Sequence, residues 1–233
     1  MPLSKQQVRQ RIAELDSDPG WYQDIDVGDG MRTKSRVIWG EDPDHPRRRW
    51  EQIAGAIPGD LSGMSVLDIG CNAGYFAFQA KQRGARYVCG VDLKPGYIEQ
   101  ARFCAEAKDL DVDFRTLSIY HLARLDRQFD LVLCIGLLYH CKYLMTALEQ
   151  VAAVARTTVI AESAIDPGDS DIPYVRFVRS SQYGGPDARG SRRLPGHWHP
   201  NMTALAELFR EVGFSDVRPL FTDGGRGAVI ATR

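Results

Sequence analysis

Val66-Leu-Asp-Ile-Gly-Cys-Asn-Ala-Gly-Tyr75 decides the fold. A short apolar strand ends in Asp68-Ile69-Gly70 and the chain enters a helix after Gly74, so small residues stand where the backbone turns sharply beneath a ligand. The glycines are spaced Gly-x-x-x-Gly (Gly70, Gly74), and Asn72 takes the place where a dinucleotide fingerprint carries its middle glycine. A P-loop Lys-Ser/Thr pair is also absent. The loop therefore suits a cofactor with no pyrophosphate to cradle.

Outward from this turn, short apolar runs alternate with amphipathic helical stretches, the pattern of βαβ units and a parallel sheet. Strands are predicted at Ser65–Ile69, Tyr87–Asp92, Asp113–Thr116, Phe129–Ile135 and Thr157–Ser163, with helices near Tyr75–Arg83, Tyr97–Lys108 and Leu144–Ala155. A helix at Met202–Val212, closed by Gly213, precedes two more strands, Val217–Phe221 and Ala228–Thr232. The expected fold is α/β and Rossmann-like: a mostly parallel seven-stranded sheet with an antiparallel last strand and helices on both faces.

The expected division is residues 1–60, a helix (Ser4–Leu15) plus a hairpin or lid over Trp21–Trp39, and residues 61–233, the cofactor-binding domain. Pro43 and Pro46 break the lid, and helical spacing resumes over Arg47–Ala56. Residues 166–200, rich in Gly, Pro, Ser and Arg, form an insertion long enough to be functional or mobile. Twenty-nine basic residues balance 30 acidic ones, which argues against a broad polyanion-binding surface. The five cysteines are odd in number and scattered, so they read as reduced thiols of a cytoplasmic protein. No apolar run reaches the length of a membrane span. A homo-oligomer is compatible with the sequence.

The second strand ends in Asp92, where a carboxylate can accept from both hydroxyls of a ribose. Ser118-Ile119 follows the third strand, at a distance suited to flank an adenine, and Ile135 ends the fourth, running into Gly136-Leu-Leu-Tyr139-His140. These pieces lie at the carboxyl edge of one sheet, where open α/β folds bind ligands. Asp68-Ile-Gly-Cys-Asn-Ala-Gly74 with Gly90-Val-Asp92 resembles the class I S-adenosylmethionine-dependent methyltransferases. Leu61–Asp68, Gly136–His140 and Pro200-Asn-Met-Thr-Ala-Leu with Gly213-Phe are similar to the tRNA wobble-uridine 5-oxyacetic acid transferases and their small-molecule relatives, including actinobacterial methylmannoside 1-O-methyltransferases. The resemblance implies that Asp68, Gly70 and Gly74 surround the methionine part of S-adenosylmethionine, Asp92 the ribose, Ser118 and Ile119 the adenine, and Ile135 and Tyr139 the reactive end, with Asn72 and Leu93 also among the cofactor-binding residues. The tRNA enzymes carry a longer N-terminal extension and use an upstream lysine to hold a carboxylated cofactor. Arg32 and Lys34 are the nearest residues here, so plain S-adenosylmethionine is the expectation.

A sulfonium methyl is already electrophilic, so the protein's work is alignment and removal of the acceptor's proton. His140 is the first candidate base, since imidazole titrates near neutrality; a helix-capping role is the alternative. His197-Trp198-His199 places two imidazoles at alternate positions around an aromatic that can stack on a sugar, or it is a surface loop without a role. Glu162 and Asp166, with His140 or His199, offer oxygens and nitrogens to a Mg²⁺ ion orienting a diol. The catalytic candidates are therefore His140, Glu162 and His199. Arg176, Arg179, Arg189, Arg192 and Arg193 suit an acidic substrate or are solvated loop charge. The expected activity is O-methylation of a small polar acceptor, a sugar or glycoside, with a tRNA-modifying enzyme as the alternative and a non-catalytic cofactor-binding module as a third reading.

Overall fold

The computed structural model describes residues 3–17, 20–33, 45–168, 171–179 and 196–233. The chain folds as two compact units, Met1–Ile119 and Tyr120–Arg233.

In the first unit, helix α1 (Lys5–Glu14) begins at Ser4, whose hydroxyl accepts from Gln7 N–H while the Gln7 side chain accepts from Ser4 N–H, a reciprocal capping box. Helix α2 covers His45–Ala54, followed by β1 (Ser65–Ile69), α3 (Tyr75–Gln82), β2 (Tyr87–Asp92), α4 (Pro95–Ala107) and β3 (Asp113–Thr116). Strand β2 pairs in parallel with both β1 and β3. Every residue of β1 is buried, as a strand covered on both faces must be. Pro95 starts α4, where its missing N–H costs nothing. The expected hairpin is present over residues 25–33: Asp26 and Arg32 form a bridge, and Gly28, Asp29 and Gly30 turn the chain with positive φ. Lys34, Trp39 and Pro43 lie outside the described residues.

The second unit holds β4 (Phe129–Ile135), α5 (Leu144–Val154), β5 (Ala155–Ala164), β6 (Val175–Val178), β7 (His197–Pro200), α6 (Met202–Glu211), β8 (Asp216–Asp223) and β9 (Arg226–Thr232). Strands β4 and β5 are parallel, while β9 runs antiparallel to both β5 and β8. The strand order within the first unit is β3-β2-β1, and within the second unit it is β4-β5-β9-β8. This is the expected Rossmann-like α/β arrangement, its antiparallel last strand inserted between β5 and β8.

Two local departures have physical causes. Strand β5 starts at Ala155 rather than Thr157, because Ala155 both ends α5 and opens the strand with no turn residue between. The insertion, expected to be irregular, contains an antiparallel ladder from Val175↔Pro200 to Val178↔His197. Each strand is only four residues long and finds its partner far along the chain, so neither stands out by local pattern. Arg189, Arg192 and Arg193 lie outside the described residues. All five cysteines are buried and free, and no helix among the described residues is long and apolar enough to cross a membrane.

Candidate cofactor and acceptor sites

The first unit builds the Gly70–Gly74 loop from backbone geometry. Gly70, Asn72 and Gly74 all have positive φ (73°, 51° and 94°), so the turn between β1 and α3 is left-handed at three places. Gly74 is required twice over. A Cβ there would stand 2.7 Å from the Phe114 ring and 2.9 Å from that of Phe78, so the glycine admits these two aromatics as well as the turn. Asn72 tolerates its conformation with its side-chain oxygen accepting from Ala73 N–H at 2.8 Å.

Two carboxylates hold the loop in place. Asp68 is buried and accepts from Ala77 N–H in the first turn of α3 at 3.1 Å; burial pushes its pKa up to about 7. Asp92 accepts from Asn72 N–H at 3.1 Å and from Lys94 N–H at 2.9 Å, and desolvation raises its pKa against those two hydrogen bonds. Asp92 thus ties the end of β2 to the loop. Leu93 beside it is exposed, and Ile119 is buried with Ser118 half-buried before it.

The second unit gathers a different cluster at the ends of β4, β5 and β7. Gly136, at φ 74°, donates its N–H to Glu162 O and lets the chain enter a single 3₁₀ turn, Leu138–His140. The Tyr139 and His140 rings lie 4.0 Å apart, and the His140 ring stands edge-on to His197 at 4.6 Å. Alternation along β7 puts His197 and His199 on one side, their rings nearly parallel at 6.2 Å. Burial, then His197, Arg176 and Arg226, push the His199 pKa down to about 4, and burial with Arg226 lowers that of His197. His199 is therefore a neutral imidazole at neutral pH. Trp198 faces the other way and packs on Phe177 at 4.8 Å.

Glu162 is placed differently from a general base. It is fully buried, and Arg226 donates to both its oxygens, at 2.7 and 2.6 Å. Burial opposes the Arg226 charge, but Glu162 more than offsets this and holds the guanidinium above its ordinary range. The same guanidinium covers the Tyr139 ring at 4.7 Å from its centroid. Asp166 is likewise engaged, by Arg176 at 2.8 Å. Among the described residues no three His, Cys, Asp or Glu side chains are grouped to hold a metal ion, so the Mg²⁺ reading finds no ligand set there. Asn201 explains the Pro200-Asn201 motif structurally: its side-chain oxygen caps α6 at Ala204 N–H, and its Nδ2 donates to Ile172 O.

Sequence reading missed Arg226 and Gln23. Arg226 meets Glu162 only through the antiparallel β5/β9 register, in which Ala164 pairs with Arg226. Gln23, from the hairpin, accepts from Tyr75 N–H at the start of α3. Neither stands in a motif.

A methyltransferase-domain family profile matches residues 66–158. A tRNA U34 carboxymethyltransferase of Nautilia profundicola is 30% identical over 174 residues, covering 73% of this chain and 53% of that protein. The chain belongs to the class I S-adenosylmethionine-dependent methyltransferases. The relative of the same description from Desulfotalea psychrophila is 28% identical over 80% of this chain. This methyltransferase-family chain spans about half the length of the curated relatives it matches. Among solved structures, the N-terminal domain of EvdMO1 with SAH bound superposes with a TM-score of 0.66 at 21% identity, covering 99% of this chain and 96% of that one. Magnesium protoporphyrin IX methyltransferase from Synechocystis with bound SAM has a TM-score of 0.60 at 18% identity, covering 88% and 86%. Both show the class I fold.

Proposed function

We propose that the chain binds S-adenosylmethionine at the Gly70–Gly74 loop and transfers its methyl group to an oxygen nucleophile, with tRNA as the acceptor because the curated relatives are named tRNA U34 carboxymethyltransferases. The observation that carries the cofactor half is the tie between Asp92 and Asn72 N–H, which sets a carboxylate beside a left-handed glycine loop at the end of β2. In the reaction the sulfonium S–CH₃ bond breaks with its electron pair left on sulfur, an O–CH₃ bond forms, and the hydroxyl proton passes to a base. His140 is the proposed base. His197 packs against it, and the Arg226–Glu162 pair positions Tyr139 next to it.

His140→Ala is expected to lower turnover by roughly 10²-fold or more while leaving affinity for S-adenosylhomocysteine nearly unchanged. Single-turnover kinetics beside calorimetry separates the two; equal loss of affinity in this variant removes His140 as the base. Because His199 is neutral down to about pH 4, it contributes no inflection to a rate profile between pH 6 and 8.

A second reading, a sugar hydroxyl as acceptor, draws on charge. The net charge is −1, and Arg115, Arg156, Arg176 and Arg226 are each ion-paired to an acid rather than offered as a basic face. Methyl-labelled cofactor offered with bulk tRNA and with a glycoside panel tests the choice. Label in tRNA supports the first reading, and label confined to glycosides overturns it. The free, buried thiols fit a cytoplasmic setting.

A further inference from the structure

The hairpin of the first unit is anchored more firmly than a covering loop needs to be. Gln100, fully buried on α4, donates from Nε2 to Leu15 O at 2.9 Å and to Gly20 O at 3.1 Å. Trp21 packs on Phe103 at 6.2 Å and donates its indole N–H to Ile12 O. Thr33, also buried, donates to Gln23 O at 2.7 Å and accepts from Ile25 N–H at 2.9 Å. Lys108 reaches Asp26 O. Gln23 is thereby held rigidly, with 4% of its surface exposed.

Its carboxamide serves the cofactor loop. Tyr75 is the first residue of α3, so no earlier turn of the helix supplies a carbonyl to its N–H, and the N-cap Gly74 has no side chain to offer the helix start. The Gln23 Oε1 accepts that N–H at 3.1 Å, across more than fifty residues of chain. This bond fixes the amide's orientation, because only the oxygen can accept. The Nε2 of the same group is left with two donor hydrogens, which no described residue accepts. A helix start and a fixed amide donor together favour a carboxylate.

Resting on the cofactor assignment above, we propose that Gln23 is a cofactor-positioning residue, whose Nε2 donates to the carboxylate of the methionine part while its Oε1 caps α3. The hairpin is then a part of the cofactor site, joined to the loop by one side chain that bonds both.

Two ligands separate this from a merely structural role. S-adenosylhomocysteine carries the amino-acid part; 5′-methylthioadenosine has the same adenosine and sulfur without it. Gln23→Glu keeps an oxygen for Tyr75 N–H but puts a negative charge in place of the donor. Calorimetry on this variant should show S-adenosylhomocysteine weakened by about 10- to 100-fold, with methylthioadenosine within about threefold of the parent. Gln23→Met removes the donor without adding charge and takes the acceptor of Tyr75 N–H with it, so a fall of roughly tenfold for S-adenosylhomocysteine, larger than that for methylthioadenosine, is expected. Unchanged S-adenosylhomocysteine affinity in both variants overturns the proposal, as does equal loss for both ligands, the result of a loosened hairpin. A parent protein that binds neither ligand removes the cofactor assignment itself and is told apart at once.

Discussion

Asp92→Ala is expected to weaken S-adenosylhomocysteine binding by about 100-fold or more. A carboxylate at the end of β2 that accepts from both ribose hydroxyls makes two hydrogen bonds to a charged acceptor, each worth about 1.5–3 kcal/mol, and tenfold in affinity costs about 1.4 kcal/mol. The substitution also removes the acceptor of the Asn72 and Lys94 N–H groups, which releases the loop from β2. Asp92→Asn, which keeps one acceptor oxygen, should fall between the parent and the alanine variant. Titration calorimetry measures the series, and parent-like affinity in Asp92→Ala would sink the ribose assignment. The pH dependence has a definite sign. The Asp92 pKa is raised in the free protein, so its charge is lost earlier than usual as pH falls, and cofactor affinity should decline on acidification. Asp68, with a pKa of about 7, acts on stability in the free protein. A carboxyl whose folded pKa is raised contributes stability at low pH that is lost as pH climbs towards 7, so the unliganded protein should melt lower at pH 8 than at pH 5.

The second large effect is on folding. Arg226→Met leaves Glu162 as a fully buried carboxylate without its bidentate partner, a loss of about 3–5 kcal/mol. For a chain of this size that corresponds to a melting temperature lower by roughly 10 °C. Adding Glu162→Gln to Arg226→Met removes the stranded charge and should recover much of the loss, a coupling that thermal melts of the single and double variants read directly. A single variant that melts with the parent would show that the pair contributes nothing to the fold. Turnover of the double variant isolates the other role of Arg226, covering the Tyr139 ring.

Most of the parallel strands were legible because burial on both faces demands largely apolar runs, and β1, β2 and β4 stand where those runs lie, whereas β3 buries only Phe114. The loop was legible for a related reason: Gly70 and Gly74 occupy left-handed positions that few other residues tolerate, and Asp92 closes the next strand. Such constraints are local, each acting within a few residues. The β6/β7 ladder, the partner of Glu162 and the anchoring of Gln23 are contacts between segments far apart in the chain, and no local pattern encodes them. Glu162 shows the difference most clearly. By sequence it is an acid at the end of a strand near a histidine, a fair candidate for catalysis; the β5/β9 register gives it to Arg226 instead. His199 shows it too, since a histidine's availability as a neutral base is set by burial and by Arg176 and Arg226, which only the folded chain brings near. The sequence by itself determined the α/β fold and the kind of cofactor loop, through backbone conformations and apolar periodicity. The tertiary structure alone decided which charged groups are spent on one another and which imidazoles remain neutral, because pairing and desolvation depend on distance in space.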